Sequence, residues 1–249
     1  MSPIAESAGL LAAGVAAGLI GSAGGITSLV SYPALLAAGL PAHAASVANN
    51  VALVACWPGS ALGSRPELRG RGPWLARWTG VAALGASAGA VLLLCTPSHV
   101  FARVVPFLVA IGSLALLLEP RLRVPRTHRS HAPALAAGLV PLSLYNGYFG
   151  AGSGVMTLTL LLVLVDGDLI CANALKNMII GAGVMASAAI FVLVGPVRWS
   201  AALPLGLGML AGSRIGPAVA RRLPASLLRR LVVLFGMVLA AELFVHPGA

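Results

Sequence analysis

Three polar residues inside one apolar stretch are the strongest chemical signal in the sequence. Asn173, Lys176 and Asn177 lie in residues 169–194, where Lys176 is the only charged side chain. The i, i+3, i+4 spacing puts all three on one face of a helix. Placing a lysine at the centre of a membrane costs about 2.5–3.5 kcal/mol on insertion scales. Since no Asp or Glu lies well inside an apolar segment, a bound anion is the expected compensation for this charge.

A matching polar patch and two glycine-rich motifs supply further candidate donors. The patch comprises Ser46, Asn49 and Asn50, and the motifs are Gly21–Gly25 and Gly147–Gly154. A helix that starts at Gly24-Gly25 or at Ser153-Gly154 would point free backbone N–H groups and a positive dipole end into the membrane. Glycine would let an anion approach, and Ser22 or Ser153 would add a hydroxyl donor. The alternatives stay open: the glycines pack helices tightly, and the amides satisfy broken backbone.

The composition identifies the class of protein that must position these groups. The chain has 249 residues, of which 59% are hydrophobic and 9% charged, and its mean hydropathy is +0.96. Soluble domains carry about 25% charged residues, so this is an integral membrane protein and a soluble enzyme is excluded. The net charge of +10 comes from arginines in short loops, which topology explains better than nucleic-acid binding. The three cysteines form no CxxC pair, so neither a disulfide framework nor a zinc site is indicated, and no cofactor is expected.

The hydropathy pattern predicts an all-α polytopic membrane protein. The apolar segments are residues 8–42, 44–63, 74–95, 99–118, 132–165, 169–194, 199–219 and 226–245. Helix is the only plausible state, because runs of this length are too long for barrel strands. Two segments, 8–42 and 132–165, are too long for one crossing and contain the glycine motifs. Each is predicted to be two half-length helices that meet in the membrane.

The two halves of the chain resemble each other. Gly85, Gly89 and Pro97 match Gly212, Gly216 and Pro224 at one constant offset. We therefore predict a first transmembrane repeat at 1–118, a basic cytoplasmic linker at 119–131 and a second transmembrane repeat at 132–249.

Charge discriminates between two topologies. If each long segment returns as a re-entrant helical hairpin, thirteen basic residues share one side of the membrane and two, Arg103 and Arg198, lie on the other. If each crosses once, the basic loops divide far more evenly. The positive-inside rule favours the hairpins. This arrangement puts both termini outside and gives the halves opposite orientation, and inverted repeats with broken helices are a transporter architecture.

Several motifs resemble the TauE/SafE sulfite-exporter family over nearly the whole chain. They are GLIGSAGG at 18–25, YPALLAAGLPAHAASVANN at 32–50, YNGYFGAGSGVM at 145–156 and ANALKNMI at 172–179. The resemblance implies a carrier of the bacterial inner membrane that moves sulfite, sulfoacetate or a related organosulfur anion between two repeats. The candidate substrate-binding residues are Ser22, Gly24, Gly25, Asn49, Asn50, Ser153, Gly154, Asn173, Lys176 and Asn177.

The leading hypothesis is a secondary transporter of a small anion, with the lipid bilayer and that anion as partners. No GxxxxGK[ST] signature is present to hydrolyse ATP. An intramembrane serine protease is the second reading, but residues 151–155 miss the GxSxG pattern, so no enzyme is expected. A membrane scaffold that transports nothing is the third reading. Whether the chain forms a homodimer, and which ion drives transport, stay open.

Overall fold

The computed structural model describes residues 3–118 and 132–220, and every regular element within these ranges is a helix. The helices are α1 Pro3–Gly24, α2 Thr27–Ala37, α3 Ala42–Leu53, α4 Cys56–Gly63, α5 Arg65–Leu68, α6 Gly72–Cys95, α7 Ser98–Leu118, α8 Ala132–Tyr148, α9 Ser153–Leu164, α10 Leu169–Val194 and α11 Trp199–Ala220. The predicted all-helical class is therefore confirmed.

The hydropathy segments correspond closely to these helices. The segments 74–95, 99–118, 169–194 and 199–219 are the single helices α6, α7, α10 and α11. Stretches within α1, α6 and α10 are long and apolar enough to cross a membrane. The predicted basic linker 119–131 and the last predicted segment, 226–245, lie outside the described residues.

Both long segments are broken, as predicted, but the first break lies later than expected. Gly25 has a φ of +78°, and its N–H donates to the Gly21 carbonyl at 2.6 Å. This left-handed cap ends a helix in the manner that glycine favours. The new helix starts at Thr27, so the expected start at Gly24-Gly25 is wrong. The helix before the break has 22 residues, about 33 Å at 1.5 Å per residue, so the expectation of a half-length helix is also wrong for α1.

The second break follows the sequence prediction more closely. The chain leaves α8 after Tyr148 and enters α9 at Ser153, as predicted. Gly150 and Gly152 between them have φ values of +81° and +76°, which only glycine adopts without strain. The break therefore depends on glycine at both positions.

The segment 44–63 contains a third break that the hydropathy pattern did not predict. It divides into α3 and α4 at Val54–Ala55. Pro58 accounts for this break, because a proline has no N–H to donate to the carbonyl four residues earlier and its ring clashes with that carbonyl. That carbonyl belongs to Val54. The prediction of one continuous helix over 44–63 is therefore wrong.

The two halves of the chain pack against each other through two pairs of helices, each with one helix from either half. In these pairs α1 lies along α11, and α6 lies along α8. A Cβ added at Gly85 would lie 2.7 Å from the Ser143 Cβ of α8, and one added at Gly212 would lie 2.8 Å from the Leu19 nitrogen of α1. Small residues thus bring both helix pairs into close contact. The opposite orientation of the two repeats stays a prediction.

One ion pair joins loops from the two halves. The Arg71 guanidinium donates to Asp166 Oδ2 at 2.5 Å, where Arg71 precedes α6 and Asp166 lies between α9 and α10. If each long segment crossed the membrane once, these loops would lie at opposite ends of the helices. Their contact favours the hairpin arrangement.

Candidate functional site

A partly open pocket lies where the two helix breaks meet, with about 540 Å³ of empty space including its opening to solvent. Its wall comes from the α1–α2 break, from α4, from the α8–α9 break and from one face of α10. Both halves of the chain therefore contribute to it. Six of the ten candidate residues line it: Ser22, Gly25, Ser153, Gly154, Lys176 and Asn177.

Lys176 gives the pocket its charge. Its side chain is 1% exposed, and Nζ donates to Asn173 Oδ1 at 2.7 Å. An ammonium carries three N–H donors, and this bond occupies one of them. Within residues 3–118 and 132–220 the recorded salt bridge is that of Arg71 and Asp166, so no carboxylate pairs with Lys176 there. A buried cation without a counter-ion is costly, and a ligand of opposite charge would reduce that cost.

The Ser22 carbonyl is the point at which α10 contacts the first break. Asn173 Nδ2 donates to it at 3.1 Å and Asn177 Nδ2 at 3.3 Å. Ser22 lies in the last turn of α1, where carbonyls lack a partner within the helix. The two amides therefore satisfy broken backbone, one of the two alternatives that the sequence left open for them. Asn173, whose oxygen also accepts from Lys176, does not line the pocket.

The two candidate serine hydroxyls donate inside the protein. Ser22 Oγ donates to the Gly18 carbonyl at 2.7 Å, and Ser153 Oγ donates to Asn146 Oδ1 at 2.8 Å. Neither hydroxyl is thus free to donate to an anion in this conformation, contrary to the expectation from the sequence. The α9 N-terminus retains one backbone donor. The N–H of Ser153 bonds to the Gly150 carbonyl, and those of Val155 and Met156 bond to the Gly152 carbonyl. The N–H of Gly154 has no backbone acceptor in the described chain.

The asparagines of α3 lie behind the pocket. Asn49 Nδ2 donates to Ser28 Oγ at 3.2 Å, and Ser31 Oγ donates to Asn49 Oδ1 at 2.5 Å. Asn50 Nδ2 donates to the Ser46 carbonyl of its own helix at 3.3 Å. Neither asparagine lines the pocket, although Ser28 does. Asn49 thus supports the wall from outside. Gly24, the last residue of α1, does not line the pocket either.

The polar pocket residues that sequence reasoning missed include Thr27, Ser28, Trp57, Ser60 and Asn146. Asn146 carried a usable signal, because it is an amide inside a predicted span and lies next to a glycine motif. Asn173 and Asn177 were chosen for the same reason, as polar residues inside a predicted span. Thr27 and Ser28 follow the first glycine motif directly. Trp57 carried no signal, since an isolated aromatic residue in an apolar helix is ordinary.

The comparison with protein families covers the whole of the pocket. Residues 10–243 match the model of the sulfite exporter TauE/SafE family, a span that includes both helix breaks and the α10 lysine. The chain belongs to the TauE/SafE family.

Two relatives of this TauE/SafE protein are named as transporters. A probable membrane transporter protein, ORF9, from a Sinorhizobium species is 28% identical over 245 residues, which cover 96% of this chain and 92% of the relative. A probable membrane transporter protein from Haemophilus influenzae is 25% identical over 249 residues, with 96% and 94% coverage. No solved structure gives a significant match. Family and fold together indicate a multi-pass membrane transporter.

Proposed function

We propose that the pocket binds a small oxyanion, sulfite or a related organosulfur anion, and that the protein carries it across the bacterial inner membrane as a secondary transporter. The observation that carries this proposal is the position of Lys176: a buried ammonium with no carboxylate partner in the described chain, at a pocket built from both halves. The family is described as one of sulfite exporters, which supports the choice of substrate.

The remaining chemistry of the pocket also favours an anion. The residues described in its wall include no Asp or Glu, whereas they include the Asn177 amide and the hydroxyls of Thr27 and Ser28. The Gly154 N–H adds the end of a helix dipole, which attracts negative charge. Donors that converge without acidic neighbours would repel a cation and select an oxygen-rich anion.

A membrane scaffold without transport explains less of the structure. The close glycine contacts between α1 and α11 and between α6 and α8 would serve a scaffold equally well. A scaffold, however, has no use for a charged group beside an open pocket, because burying a charge without a counter-ion costs stability. The lysine is therefore the residue that separates these two functions.

Uptake into proteoliposomes tests the proposal. Purified protein would be reconstituted and supplied with ³⁵S-labelled sulfite, with protein-free liposomes as the control for leakage. We expect labelled sulfite to accumulate only in liposomes that contain the protein. An excess of unlabelled sulfite should abolish this accumulation, and an excess of the cation choline should not. Uptake equal to that of protein-free liposomes for both sulfite and sulfoacetate would contradict the proposed function.

A further inference from the structure

Trp57 lies at the pocket because of the third helix break. The break at Val54–Ala55 starts a new helix at Cys56, and Trp57 is its second residue. Both Trp57 and Lys176 line the pocket, although they come from different halves of the chain. The proline that divides α3 from α4 thus also determines where this indole lies.

The indole N–H of Trp57 is buried without an acceptor. No hydrogen-bond partner for Nε1 exists among the described residues, and the atom is inaccessible to solvent. The great majority of buried polar groups in proteins are hydrogen-bonded, so an unpaired one requires an explanation, such as a ligand that the site has yet to receive. An indole can only donate, and its missing partner is therefore an acceptor.

The N–H edge of the indole lies against the helix that carries Lys176. A Cβ added at Gly181 would lie 2.7 Å from Trp57 Nε1, so the absence of a side chain at Gly181 provides the space for the ring. Gly181 is five residues beyond Lys176 on α10, about 7.5 Å along the helix axis, and it also lines the pocket. The unpaired donor of α4 therefore packs against α10 beyond Lys176, and both side chains belong to the wall of one pocket.

We propose that the Trp57 indole N–H donates a hydrogen bond to the bound substrate anion, alongside the Lys176 ammonium. This inference rests on the proposed function, because it adds a donor to the same site. Binding would give the buried N–H its acceptor, and the anion would gain a directional contact in addition to the charge of the lysine. Trp57 is thus a substrate-binding residue contributed by the first half of the chain.

The test compares Trp57→Phe with the matched control Trp199→Phe. Phenylalanine keeps an aromatic ring and removes the donor together with part of the ring's bulk. Trp199 lies at the start of α11, 46% exposed and outside the pocket wall. Binding of ³⁵S-sulfite to full-length protein in detergent would be measured for both. We expect Trp57→Phe to weaken the affinity about tenfold, as the loss of a hydrogen bond to a charged group does, and Trp199→Phe to leave it unchanged.

A measurement on the unaltered protein covers the case in which Trp57→Phe fails to fold. The protein would be labelled with ¹⁵N at the tryptophan indoles and observed by NMR. The variants Trp74→Phe, Trp78→Phe and Trp199→Phe would each identify one indole N–H signal, which leaves the fourth as that of Trp57. Sulfite should shift this fourth signal. An unchanged Trp57 signal at saturating sulfite, or an unchanged affinity in folded Trp57→Phe, would overturn the Trp57 proposal alone. If the wild-type protein binds neither sulfite nor sulfoacetate, both proposals fail.

Discussion

Gly25 and Gly154 touch backbone to backbone, which joins the two helix breaks at the pocket. A Cβ added at Gly25 would lie 2.7 Å from the Gly154 carbonyl carbon, and a Cβ added at Gly154 would lie 2.7 Å from the Gly25 Cα. Distances this short leave no room for any side chain. The glycines therefore both pack the two halves together and line the pocket, so their substitution would disturb folding together with binding.

Gly154→Ala should destabilise the protein. The new methyl group would force apart two backbone segments, and overpacking of this kind costs about 1–3 kcal/mol. We expect a lower melting temperature in detergent. The matched control is Gly80→Ala on α6, where a Cβ would meet nothing within 4 Å and where alanine favours helix by up to about 1 kcal/mol. A Gly154→Ala variant as stable as Gly80→Ala would show that the two breaks do not touch.

Asn49→Ala should reduce stability without removing binding. Asn49 bonds to Ser28 and Ser31 and does not line the pocket. Losing these two buried hydrogen bonds costs about 0.5–1.5 kcal/mol each, and the Ser31 hydroxyl retains the Thr27 carbonyl as its acceptor. The sulfite affinity should change by less than about threefold, roughly 0.6 kcal/mol. Thermal unfolding and sulfite binding would be measured on the same preparation. A folded variant of normal stability that has lost binding would place Asn49 in the site after all.

The Arg71–Asp166 pair should make stability depend weakly on pH. Burial alone would raise the pKa of the Asp166 carboxyl, but the Asp168 N–H and the Arg71 guanidinium lower it below its ordinary value of 3.8. Because the folded-state pKa is depressed, the contribution is fully present above the unfolded-state pKa and is lost as the pH falls through the folded-state pKa. Asp166→Asn should lower the melting temperature slightly at pH 7, since partly exposed pairs contribute little. The difference should shrink as the pH falls below 3.8 and through the folded-state pKa.

Asp168→Asn is the matched control for this pair. The Asp168 carboxylate caps α10 by accepting from the Cys171 N–H at 2.9 Å, and asparagine caps helices equally well. A difference between wild type and Asp166→Asn that is independent of pH would exclude a contribution from the ionised carboxylate.

Cysteine labelling should confirm the hairpin topology. Cys56, Cys95 and Cys171 would first be replaced, and single cysteines introduced at Arg69, Asp168 and Arg198. We expect the first two to be labelled from the cytoplasmic side and the third from the opposite side, and a cysteine at position 2 from outside. Labelling of Arg69→Cys and Asp168→Cys from opposite sides would support single crossings, and labelling of position 2 from the cytoplasm alone would also contradict the hairpins.

The sequence was sufficient to predict the helices, because hydropathy and length determine them in a membrane. It also located both glycine breaks to within a few residues, because each glycine motif lies in a segment too long for one crossing. The break at Val54–Ala55 could have been inferred from Pro58, but Pro33, Pro106 and Pro141 all lie inside unbroken helices. Tertiary packing decides which prolines end a helix, so sequence alone could not distinguish them.

The site was harder to predict than the fold. Lys176 was identifiable because a single lysine in an apolar helix is costly, whereas the roles of the neighbouring amides depend on contacts from other helices. Asn173 and Asn177 donate to the Ser22 carbonyl, more than 150 residues away in sequence. Ser22 and Ser153 were chosen as donors for an anion, yet their hydroxyls bond to groups whose positions only the folded chain determines.

The most direct test of the anion site is equilibrium binding of ³⁵S-sulfite to wild-type protein, to Lys176→Met and to the control Arg198→Met. Lys176→Met keeps the length of the side chain and removes the buried charge, while Arg198→Met removes an exposed charge from the loop before α11. We expect Lys176→Met to weaken the affinity tenfold or more, about 1.4 kcal/mol, with Arg198→Met unchanged. A folded Lys176→Met variant that binds sulfite as tightly as wild type would contradict the account.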